Sequence, residues 1–102
     1  MIKHIVMWKL KDNANGNSKD ENALKFKEML ELLPLKIDAI KSMEVGIGYM
    51  ESGGPFFDMV LTTSHTSREA LQEYAVHPEH QKVVEFGKMI VEERRVVDYE
   101  IN

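Results

Sequence analysis

Ile2-Lys3-His4-Ile5-Val6-Met7-Trp8-Lys9-Leu10 decides the fold, because its residues alternate. Ile2, Val6, Trp8 and Leu10 share one parity with His4, whereas Lys3 and Lys9 share the other with Ile5 and Met7. Successive side chains of a strand point to opposite faces, so a period of two predicts a strand here. Its even face is apolar apart from His4, which directs that imidazole to wherever the core or a pocket lies.

The rest of the chain falls into place around this strand. Asp12 to Asn17 is a polar, glycine-containing loop, and Ser18 with Glu21 forms a capping box that opens a helix. Ala23, Phe26, Leu30 and Leu33 follow at helical spacing until Pro34 ends it. Met43 to Met50 alternates again, with Gly46 and Gly48 marking a bend or a close approach within the sheet. A Gly53-Gly54-Pro55 turn then leads into Phe56 to Thr63, completing an antiparallel hairpin. Thr66 with Glu69 repeats the capping pattern before a short helix carrying Leu71, Tyr74 and Ala75. His77-Pro78 breaks that helix, since the residue before proline avoids helical geometry. Pro78 opens the next one, with Val83, Phe86 and Ile90 on its apolar stripe. The charged run Glu92 to Arg95 reads as a solvated turn, and Arg95 to Ile101 as the last strand. The order β-α-β-β-α-β, with the second helix in two pieces, predicts an α+β, ferredoxin-like domain over residues 1–102. It has one four-stranded antiparallel sheet and both helices on one face. The other sheet face has no cover within the chain, which predicts a homodimer.

Composition narrows the function by exclusion. The 102 residues are 43% hydrophobic and 29% charged, with a net charge of −4 and no basic stripe, which argues against nucleic-acid and membrane surfaces. With no cysteine there is no disulfide framework, thiolate metal site or cysteine nucleophile. The first residues lack the continuous apolar run of a signal peptide, so a cytoplasmic location is expected. His77 and His80 could share an ion only with a third ligand, and none is nearby, so no metal is expected. Trp8 and the methionines occupy alternating or helical apolar positions and read as core.

Three stretches together resemble the Dabb family of stress-responsive dimeric α/β barrels: Lys3-His4-Ile5-Val6, Tyr74-Ala75-Val76-His77-Pro78-Glu79-His80, and Val97-Asp98-Tyr99-Glu100. The resemblance spans essentially the whole chain. Ile37-Asp38-Ala39-Ile40 departs from it, since many members carry proline and glycine there. The resemblance implies a dimer whose sheets close into a barrel. Some plant members are stress-associated, and one is a polyketide cyclase that performs an aldol closure without a cofactor. That cyclase's functional positions fall on His4, Tyr74, His80 and Asp98.

On this resemblance His80, close to a helix start, is the candidate base. Asp98 would hold one ring nitrogen of His80 so that the other accepts a proton. Tyr74 and His4 would hold an oxygen on which charge develops. The chemistry implied is proton abstraction beside a carbonyl followed by carbon–carbon bond formation, with neither metal nor organic cofactor. The same four residues could instead form a satisfied buried network in a small-ligand-binding or stress-related dimer without turnover. A cofactor-independent monooxygenase is a third reading, drawn from other dimeric ferredoxin-like barrels.

Overall fold

The alternation of Ile2–Leu10 is realised as strand β1 of the computed structural model, with Ile2, His4, Val6, Trp8 and Leu10 buried and Met7 exposed on the opposite face. The structure describes residues 1–49 and 56–102, so the expected Gly53-Gly54-Pro55 turn lies outside the described residues. Strands β4 (Ser42–Ile47), β5 (Met59–His65) and β6 (Val91–Glu100) join β1 in one sheet of order β4-β5-β1-β6, every neighbour antiparallel. This is the ferredoxin-like arrangement expected from the element order.

The loop after β1 is more regular than expected. Asn13–Ala14 (β2) and Asn17–Ser18 (β3) pair across Asn15-Gly16, whose φ values of 54° and 79° are the left-handed pair of a two-residue hairpin turn. The capping box then opens α1 (Lys19–Glu31) as expected: the Glu21 amide donates to Ser18 Oγ at 3.2 Å, and the Ser18 amide to Glu21 Oε1 at 3.0 Å. Helix α2 (Arg68–Val76) corrects the expected cap. Ser67, not Thr66, is the N-cap; its extended backbone turns Oγ onto the Ala70 amide at 3.0 Å, so Glu69 sits one residue too early for a box. His77 ends α2 and caps α3 (Pro78–Ile90), its Nδ1 accepting from the Glu79 amide at 3.1 Å, which is the junction role expected of it.

The last strand is also longer than expected. Glu92 to Arg95 is not a turn but part of β6, with Trp8 opposite Arg94 and Lys9 opposite Glu93. Strand β1 runs to Leu10 and its backbone groups need partners to that point. Since β6 is an edge strand, it carries charge there without burying it.

Both helical layers cover one face. Trp8 and Phe26 meet edge-to-face with centroids 4.8 Å apart, and Leu30, Val83, Phe86 and Ile90 complete the core against Val6 and Leu61. A Cβ on Gly87 would stand 3.3 Å from Phe26 Cζ, so glycine permits the close approach of α3 to α1. On the opposite face Met7, Val60, Val97 and Tyr99 are exposed, and Ile5 lies opposite Val97 among them.

Candidate functional site

Between the sheet and the helices lies a cavity of about 460 Å³, whose lining includes His4, Tyr74 and His80. Its walls are mostly apolar, with Trp8, Phe26 and Leu61 among them. A cavity of this size suits a small molecule. Three of the four expected residues therefore meet at one cavity, and the fourth, Asp98, stands outside its lining and touches His4.

His80 stands in the first turn of α3, and its Nδ1 lies 3.0 Å from the Ala75 carbonyl oxygen. A carbonyl only accepts, so Nδ1 carries the hydrogen and Nε2 holds the lone pair. Nε2 has no hydrogen-bond partner among the described residues. Burial pushes the His80 pKa below the usual 6.5, against the Ala75 bond, and the Arg94 guanidinium acts in the same direction as burial. The ring is therefore a neutral base at pH 7.

Asp98 was expected to orient His80, and the geometry corrects this. Its Oδ1 sits 2.5 Å from His4 Nδ1, while the corresponding nitrogen of His80 is held by Ala75. The reason is register: β1 and β6 place His4 and Asp98 directly opposite each other on the same face. The carboxylate is nearly half exposed and does not line the cavity.

Tyr74 projects from α2 into the middle of three imidazoles. Its ring centroid is 4.3 Å from His80, 5.3 Å from His65 and 6.0 Å from His4. Its hydroxyl is buried without a hydrogen-bond partner among the described residues. Burial pushes its pKa up to about 12, against the pull of the Arg94 charge, so it remains a phenol and a donor.

Two residues went unread in the sequence. His65 is fully buried beside Tyr74; its Nδ1 donates to the Ala39 carbonyl at 2.7 Å and its Nε2 accepts from the Thr63 hydroxyl at 2.8 Å. Burial lowers its pKa below 6.5, against the Ala39 bond. The alternation of Phe56 to Thr63, carried two residues further, would have placed it on the core face with Leu61 and Thr63. Arg94 lines the cavity from the segment expected to be a turn.

Among the described residues no group of three or more potential ligands could hold a metal ion, and no helix is long and apolar enough to cross a membrane. The Nδ1 of His77 caps α3, and that of His80 is bound to Ala75.

Comparison with known proteins agrees with the fold. A dimeric ferredoxin-like protein from Bacteroides fragilis superposes with a TM-score of 0.85 at 34% identity, over 98% of this chain and 95% of its own. Hydroxynitrile lyase from Passiflora edulis shares the fold at 18% identity, with a TM-score of 0.77 over 99% of this chain and 93% of its own. Olivetolic acid cyclase of Cannabis sativa is 22% identical over 98 residues, 96% of this chain and 94% of that protein. The model of the stress responsive A/B barrel domain matches residues 2–101, and the chain belongs to this Dabb family.

Proposed function

We propose that the cavity is a substrate site for proton transfer beside a carbonyl, with His80 as the general base. One observation carries this reading: a neutral imidazole whose Nδ1–H is fixed on Ala75, leaving Nε2 without a protein partner at an apolar cavity. Nε2 takes a proton from the carbon next to a substrate carbonyl, and the electron pair of that C–H bond passes to the carbonyl oxygen as an enolate. The His4 ring and, once substrate uncovers its buried hydroxyl, the Tyr74 phenol hold that oxygen. The enolate carbon then attacks a second carbonyl of the same molecule, one carbon–carbon bond forms, and Nε2–H returns its proton to the resulting alkoxide. Asp98 is a positioning residue, acting through His4. The likeness to olivetolic acid cyclase supports a closure of this kind.

The functional unit is a homodimer joined through the open sheet face. Met7, Val60, Val97 and Tyr99 supply an apolar surface there, and the related Bacteroides protein is described as dimeric.

Deuterium exchange of a β-diketone followed by proton NMR tests the chemistry. His80→Gln should lower the enzyme-dependent exchange by about 10²- to 10⁴-fold. Equal exchange by wild type and variant removes His80 as the base. Binding without turnover is the second reading, favoured by the sealed position of the Tyr74 hydroxyl; it predicts no exchange above buffer in either protein.

A further inference from the structure

The cavity is charged against the background of the chain. The protein carries a net charge of −4, yet among the described residues no aspartate or glutamate lines this cavity, while Lys88 and Arg94 both do. Lys88 is partly neutralised by Glu85 at 3.3 Å. Arg94 has no ion pair among the described residues; its neighbour Glu93 pairs with Arg95 at 3.0 Å, and Glu92 with Lys9 at 3.9 Å. Strand register places Arg94 opposite Trp8, four residues along the same sheet face from Asp98 and His4. That is a separation of about 13 Å along the strand. Apolar side chains, among them Val6, Trp8, Leu61 and Val91, line the same cavity.

We propose that this cavity selects a substrate with a carboxylate on an apolar body, the carboxylate seated on Arg94 and the reactive carbonyl lying toward His80 and Tyr74. This deepens, and rests on, the reading of the cavity as a substrate site. A guanidinium matches a carboxylate through two parallel N–H···O bonds, whereas an ammonium acts as a point charge. Arg94 therefore supplies geometry as well as charge. A single uncompensated guanidinium suits one carboxylate better than a multiply charged phosphate.

Trp8 is the only tryptophan of the chain and lines the cavity, so its fluorescence reports occupancy directly. Titration of the intact protein with 4-phenylbutyrate should give saturable binding, with 4-phenylbutanol at least about ten-fold weaker, equivalent to about 1.4 kcal/mol. Arg94→Gln should weaken the acid to the level of the alcohol and leave the alcohol unchanged, and Arg94→Lys should recover part of the preference. Equal affinity for acid and alcohol, equal losses for both in Arg94→Gln, or no Trp8 response to either probe overturns the proposal. The two readings fail separately. Exchange of a neutral diketone that depends on His80, without acid preference, removes only the carboxylate. Acid binding through Arg94 without exchange removes only the catalysis.

Discussion

Replacing Tyr74 by phenylalanine separates a working phenol from a structural one. In a satisfied network, losing the hydroxyl removes a hydrogen bond of about 1 kcal/mol and strands its partner. Here the hydroxyl has no partner among the described residues and is buried, so folding strips it of water without replacement. Such a group costs about 1–3 kcal/mol, and phenylalanine does not incur that cost. The ring contacts with His80 and His65, at 4.3 Å and 5.3 Å, are retained. The void left by one oxygen, at about 24 cal/mol per Å³, returns a few tenths of a kcal/mol. Tyr74→Phe is therefore expected to gain about 1 kcal/mol, while exchange activity falls. For a domain near 100 residues this raises Tm by about 4 °C. Urea unfolding at fixed protomer concentration measures it free of mass action on a dimer. A loss of about 1 kcal/mol or more would refute the reasoning, since the hydroxyl would then be bonded in solution and Tyr74 would belong to a structural network.

Stability should also fall on mild acidification. His65 and His80 both have folded pKa values below the usual 6.5, so the unfolded chain binds more protons as pH drops below it. Their stabilising contribution is complete above about 6.5 and is lost as pH falls through the folded values, so the urea midpoint should decline between about pH 7 and pH 5.5. A midpoint independent of pH over that range contradicts the assignment. Asp98→Asn should change stability by less than about 1 kcal/mol, because the carboxylate is 46% exposed. It should nevertheless alter the His4 ring ¹⁵N shifts and leave those of His80 unchanged; movement of the His80 signals instead would restore the discarded dyad. Val97→Lys, on the open face, should convert dimer to monomer in light scattering, and an unchanged mass would place the interface elsewhere.

The legible parts of the fold were those fixed by short-range chemistry. Alternation in Ile2–Leu10, the Ser18 capping box and the Pro78 break are each decided within a few residues, and each appears where expected. Errors arose where a partner strand decides the conformation. Glu92 to Arg95 looks like a solvated turn by composition, but β1 supplies hydrogen bonds that hold it extended, and this carries Arg94 to the cavity. Thr66 and Ser67 are both acceptable caps, and in the structure it is the Ser67 hydroxyl that meets the Ala70 amide. The family pattern brought His4, Tyr74 and His80 to one cavity; it did not say which histidine Asp98 touches. That depends on the β1–β6 register, a long-range property without a local signal.

The change of partner for Asp98 gives the helix break a chemical role. Helix α2 stops at Val76, so the Ala75 carbonyl is one of the last four that a helix leaves without an internal acceptor role. In an uninterrupted helix it would receive the amide of residue 79. Here the Glu79 amide is turned onto His77 Nδ1, and Ala75 accepts from His80 Nδ1 and from Gln81 Nε2 at 2.8 Å. The break therefore creates the acceptor that fixes the His80 tautomer, which leaves two positions of β6 to serve other ends: Asp98 for His4 and Arg94 for the cavity. A carbonyl is also the weaker electrostatic partner. A carboxylate would favour the imidazolium by a full charge, whereas a carbonyl dipole leaves burial to dominate, and the His80 pKa accordingly moves down. In the role proposed for His80, a base that must be unprotonated in the resting site is better held by Ala75 than by Asp98.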